Sequence, residues 1–263
     1  MSANDQILTE VDGFIGRFTI NNAAKRNCMT LSMWQRMGDV FAAWADDPEV
    51  RVIIVRGAGE QCFCAGNDIS EFAELRSSPE NIANYTAVTD RAYALFKAVP
   101  KPTIARIAGF CIGGGLEMAQ LCDIQIAADT ATFGVTPAKL GLGYKLNDVQ
   151  LLTDNVGAKV AKEILLTARQ FPADDALRWG LVNRVVAEHD LDESVESYAH
   201  EIAANAPLSV KAAKIIVAEA SKETAHRDTL LCQALVDACH ESNDYQEGQR
   251  AFAEKRLPEF KGT

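Results

Sequence analysis

The segment VRVIIVR at 50–56 is a β-branched run suited to a buried strand, and a chain that carries such a strand has to build a sheet to cover it. Just upstream, GFIGRFTI at 13–20 alternates apolar residues as a strand requires. Between the two, residues 30–46 (TLSMWQRMGDVFAAWAD) have helical apolar spacing, with Thr30 placed as an N-cap and Pro48 just past the end. This β-α-β opening continues. The pattern predicts a helix over 83–99, a strand over 102–108 (PTIARIA), a short helix over 113–121 and a strand over 123–128 (DIQIAA). Strand and helix alternate throughout, so we expect an α/β core with parallel pairing and right-handed crossovers.

Past Phe133 the pattern turns helical, over 146–153, 158–168 and 173–179, with one short strand at 181–186 (LVNRVV) and three or four helices running to Arg256. That half has too little strand for a sheet of its own. It shows no repeat at a fixed period and no low-complexity linker. Residues 1–200 are therefore read as the core, and 201–263 as a helical region that packs on it or on a neighbouring subunit.

The net charge of the 263-residue chain is -10, which leaves no basic stripe for phosphates, so nucleic acid is not an expected partner. The seven cysteines (28, 62, 64, 111, 122, 232 and 239) are scattered among apolar neighbours, as buried reduced thiols are, and Cys62 and Cys64 lack zinc-site spacing. No metal site is expected. The start, MSANDQILTEVDG, has no targeting pattern, and no stretch approaches the roughly 18 apolar residues of a membrane span. A cytoplasmic, membrane-free protein is the expectation.

Two glycine turns carry the chemistry. GFCIGGGLE at 109–117 follows a predicted strand and opens a helix, where free amides and a positive dipole end would suit a negative oxygen. The same glycines could serve only tight strand-helix packing. CFCAGNDI at 62–69 follows the VRVIIVR strand by a few residues, at the carboxyl end where α/β sheets bind ligands. Each turn could aim one N–H at a single carbonyl oxygen. Glu117, on the first turn of its helix, is either a dipole-complementing residue or a general acid/base beside that oxygen. Asp68 reads as the cap of the helix that follows it. The four histidines (189, 200, 226 and 240) lie in the helical half, away from both turns.

FCAGND and GFCIGGGLE, together with IGRFTINNAAKRN near the start and DYQEGQRAFAEKRLPEFKG at the end, resemble the crotonase (enoyl-CoA hydratase/isomerase) superfamily over essentially the whole chain. The resemblance implies an α/β fold of repeated ββα turns with a C-terminal helical trimerisation region, assembled as a homotrimer or homohexamer. It implies an acyl-CoA thioester as substrate and no further cofactor. The thioester oxygen would be held by the N–H groups of Ala65 and Gly114, with Glu117 as the catalytic carboxylate. Coenzyme A would lie against Lys25, Arg26, Ala65, Asn67, Asp68 and Ile69, and Phe252 and Lys255 would add contacts from a neighbouring helix or subunit.

The pattern breaks at one place. Hydratases of the superfamily keep a second glutamate where this chain has Pro137, in FGVTPAKLGLGY at 133–144. One carboxylate is a short inventory for adding water, which needs one group to activate the water and another to protonate the α-carbon. Tyr144, with Lys139 and Lys145 nearby, resembles instead the methylmalonyl-CoA decarboxylase branch, in which a tyrosine orients the substrate carboxylate. That branch has a histidine where this chain has Asn67. The expectation is an acyl-CoA lyase or isomerase working through an enolate. Decarboxylation and a non-catalytic coenzyme A-binding role are the alternatives.

Overall fold

A computed structural model describes residues 3–75 and 77–263. Ten strands are present among them: β1 Ile7–Asp12, β2 Ile15–Ile20, β3 Val52–Gly57, β4 Cys62–Cys64, β5 Thr103–Ile107, β6 Phe110–Ile112, β7 Ile124–Ala128, β8 Thr132–Gly134, β9 Gln170–Pro172 and β10 Arg184–Val186. They form a six-stranded sheet, ordered β1-β2-β3-β5-β7-β10, and a four-stranded sheet, ordered β4-β6-β8-β9. Within the larger sheet only the β1–β2 pair is antiparallel.

The chain alternates between the sheets. β3, β5 and β7 lie in the large one, and each is followed within a few residues by a strand of the small one, β4, β6 and β8. Helices then carry the chain back, Pro79–Ala98 after β4 and Gly114–Leu121 after β6. This is the expected series of ββα turns. The small sheet is a finding that periodicity does not reach, because three-residue strands are too short to show a pattern. It also corrects one expectation: the two glycine turns follow neighbouring strands of the small sheet, β4 and β6, rather than strands of the sheet that holds VRVIIVR.

β3 explains its own sequence. Ile53 and Val55 face one apolar cluster with Phe18, Trp34, Phe41, Phe96 and Phe133, while Val52 and Ile54 face another with Ile15, Ile104, Ile126, Leu191, Val195 and Ala199. A strand covered on both faces has no use for polar residues. The first face is closed by helices Leu31–Asp46 and Pro79–Ala98, whose Phe41 and Phe96 rings stack at 4.2 Å. The second is closed by helix Leu191–Ala204. Thr30 caps the first of these helices as expected, its hydroxyl accepting from Met33 N–H. The two helices expected over 146–168 form one span, Leu146–Thr167, broken at Gly157, where φ is +74°. Of the seven cysteines, all free, four are buried, and Cys28, Cys232 and Cys239 are only partly covered, short of the expected burial.

Candidate active site

The two glycine turns meet. A Cβ added at Gly66 would lie 3.1 Å from the Gly114 nitrogen, and one at Gly115 would lie 2.0 Å from the Cys64 carbonyl oxygen. Gly115 excludes a side chain, and Gly66 leaves little room for one, because the start of helix Gly114–Leu121 is pressed against the end of β4. Gly66 also takes φ +92°, which L side chains rarely adopt.

Within the β4 turn the amides are largely committed. Ala65 N–H donates to the Arg26 carbonyl at 3.1 Å, Gly66 N–H to Cys64 Sγ at 3.4 Å, and Asp68 N–H to the Met29 carbonyl at 2.9 Å. Asn67 N–H is left without an acceptor among the described residues, and so is Gly114 N–H, on the first turn of its helix, where intrahelical partners do not exist. The expectation that Ala65 offers a donor to a ligand is therefore corrected. Its N–H closes the turn onto Arg26, and the open amide lies two residues on, at Asn67. The Asn67 side chain is held as well: Trp34 Nε1 donates to its Oδ1 at 2.8 Å, and Trp34 packs on Tyr93 at 4.9 Å.

Both turns open into a cavity of about 260 Å³, lined among others by Ala65, Asn67, Ile69, Gly114, Glu117 and Tyr144. These are six of the residues that the sequence reading singles out. Lys25 and Asp68, which it also names, pair at 2.7 Å next to this cavity, with Asp68 capping Ser70 N–H at 3.0 Å. Arg26 lies over the Phe110 ring at 5.7 Å. Phe252 and Lys255 are not among the lining residues, and Phe252 is 87% exposed. Within a single chain they do not join the site expected of them.

Glu117 sits half-buried at one side of the cavity. Burial, and then the neighbouring Asp148, push its carboxyl up to about 8, against a smaller downward pull from the Tyr93 hydroxyl and Lys145. Tyr144 is also pushed upward by burial and by the same two carboxylates, so its hydroxyl keeps its proton. Pro137 does line the cavity, as its alignment with the missing glutamate requires.

Asp148 and Tyr93 are the residues that sequence reasoning missed. Asp148 is the third residue of helix Leu146–Thr167, where an acid reads as an ordinary complement to the helix dipole. Tyr93 lies inside helix Pro79–Ala98, where an aromatic reads as core. The one available signal for Asp148 was its position four residues beyond Tyr144, at the head of the next helix.

A model of the enoyl-CoA hydratase/isomerase family matches residues 10–263. The chain belongs to the enoyl-CoA hydratase/isomerase family. Among curated relatives of this family member is the carnitinyl-CoA dehydratase of Proteus mirabilis (strain HI4320), 37% identical over 244 residues that span 90% of this chain and 92% of the relative. The (E)-benzylidenesuccinyl-CoA hydratase of Thauera aromatica is 34% identical over 98% of this chain and 99% of its own. Of solved structures, an enoyl-CoA hydratase/carnithine racemase from Magnetospirillum magneticum superposes with a TM-score of 0.91 at 35% identity, covering 98% of this chain and 96% of that one. The crotonase fold and an acyl-CoA enzyme follow. No helix among the described residues is long and apolar enough to cross a membrane.

Proposed function

We propose that this family member adds water across the α,β double bond of an enoyl-CoA thioester, or forms that double bond by removing water from the β-hydroxyacyl thioester. The observation that carries the reading is the placing of Glu117, its carboxyl pushed up to about 8 by burial and Asp148, on the wall of a cavity into which the free amides of Asn67 and Gly114 open. Addition of water to an enoyl thioester moves electrons onto the carbonyl oxygen. Two fixed N–H donors stabilise that charge, each contributing on the order of 3–4 kcal/mol. The enolate is then discharged by a proton at the α-carbon, which a carboxyl group with pKa near the operating pH is suited to give and take back.

Water chemistry is preferred over decarboxylation for an electrostatic reason. A decarboxylation substrate carries a free carboxylate beside its thioester and would have to place it near Asp148 and Asp90, both in the cavity wall. Tyr144 then serves as a neutral hydrogen-bond donor to the acyl group. Lys25, Arg26, Asp68 and Ile69 are proposed to hold coenzyme A, with Phe252 and Lys255 reaching the site of a neighbouring subunit in a trimer or hexamer.

The test is hydration of an enoyl-CoA panel with short aliphatic, trimethylammonium-bearing and aryl acyl groups, followed by loss of enoyl absorbance, with methylmalonyl-CoA followed for release of carbon dioxide. Hydration of at least one enoyl-CoA, reduced about 10²–10⁴-fold in Glu117→Gln, is the expected outcome. Carbon dioxide release without hydration would replace this reading with decarboxylation.

A further inference from the structure

The Glu117–Asp148 contact resolves the missing second acid, on the premise that the chain performs the water chemistry described above. We propose that Asp148 is the second acid/base group of the reaction: it takes a proton from the attacking water while Glu117 delivers its own proton to the α-carbon.

Three observations place Asp148 there. It lines the same cavity as Glu117 and both glycine turns. It raises the Glu117 carboxyl electrostatically, second only to burial, as a facing acid on the same cavity wall does. It comes from the head of helix Leu146–Thr167, one element beyond the Pro137 turn, and lines the cavity together with Pro137. Two carboxyl groups that face one another do not both ionise readily, and here Glu117 is the one whose carboxyl is pushed up. The other groups facing them are Tyr93 from helix Pro79–Ala98, Tyr144, and Lys145, which is paired with Asp90 at 2.7 Å.

The step balances within the pair. The oxygen of water bonds to the β-carbon as its O–H bond breaks and the proton goes to the Asp148 carboxylate. The π electrons move to the thioester oxygen, held by the Asn67 and Gly114 amides. As the enolate collapses, the Glu117 proton bonds to the α-carbon. Asp148 then returns its proton to Glu117 across the cavity they share, and the site returns to its starting state with one water consumed.

The proposal separates two reactions. Exchange of α-protons of butyryl-CoA in deuterium oxide needs the amides and Glu117 alone, whereas hydration needs both carboxylates. Asp148→Asn is expected to lose hydration by about 10²–10⁴-fold while keeping α-exchange within a few-fold of wild type. The alkaline limb of its residual hydration should move to lower pH, because the charge that opposes ionisation of Glu117 is gone. Asp148→Glu should recover part of the rate. If Asp148→Asn does not fold, judged by its melting curve, Asp148→Ser and Asp148→Glu carry the same comparison. Hydration at the wild-type rate with an unmoved pH limb in the neutral variants overturns the role of Asp148, as does loss of hydration and exchange together. If the wild type shows neither reaction across the panel, the hydration reading fails and this proposal fails with it.

Discussion

Glu117 illustrates how position sets chemistry. A glutamate ordinarily ionises near 4.3, and here burial beside Asp148 holds the proton until about 8. The sign for stability follows from linkage. The unfolded chain releases this proton near its ordinary value and the folded chain keeps it, so the group favours folding fully below about pH 4 and loses that contribution as pH rises toward 8. Glu117→Gln, which cannot ionise, is expected to melt above wild type at pH 9 and close to it at pH 5. A melting difference that stays constant between those pH values would show that Glu117 ionises at its ordinary value. Glycine 66 and glycine 115 act by omission, since a side chain at Gly115 would separate the two turns that form the site and Gly66 leaves little room for one.

The C-terminal elements are tied down by carboxylates rather than by a large apolar face. The buried Asp244 of helix Asn243–Glu254 accepts from the amides of Lys261 and Gly262 at 2.7 and 2.8 Å. Glu247 takes Arg250, Arg256 and the Glu259 amide, which together hold its carboxyl well below the usual range. Arg51 donates to the Phe260 carbonyl at 2.7 Å, bringing the tail back to the foot of β3. Charge-assisted bonds of this kind are worth about 1.5–3 kcal/mol when one partner is removed. Asp244→Ala should therefore lose stability on that order in thermal unfolding. Its amides over 258–263 should exchange with solvent much faster than those of wild type. Unchanged exchange there would show that the tail is held by other contacts.

Viewed whole, the molecule leaves large apolar side chains on its helical half uncovered: Leu166, Leu230, Phe252 and Leu257 are each at least 80% exposed. Side chains of this size scattered singly need no partner, but the first belongs to the helix that carries Asp148 and the others to the C-terminal region, where association of copies is proposed. Light scattering is expected to give three or six times the 28.6 kDa of one chain. The double change Phe252→Ser with Leu257→Ser should lower that mass and weaken turnover more than it lowers the melting temperature. A monomeric wild type would remove Phe252 and Lys255 from the coenzyme A site.

The large sheet was legible in the residues because its strands are long and apolar enough to show a pattern: VRVIIVR is a β-branched run suited to a buried strand. Local rules also place Thr30 as a cap and Asp68 as the lock of its turn, since capping depends on neighbours two or three residues away. The glycine turns and Glu117 were visible for the same reason. Tertiary structure decided what no local rule reaches. The three-residue strands of the small sheet exist only because the long strands bring them together, and with them come the contact of the two turns and the choice of Asn67 over Ala65 as the open amide. Asp148 stands 31 residues beyond Glu117 with two strands, a turn and a helix start between them. Its meeting with Glu117 is a property of folded distance, and the chemistry proposed for this site depends on that contact.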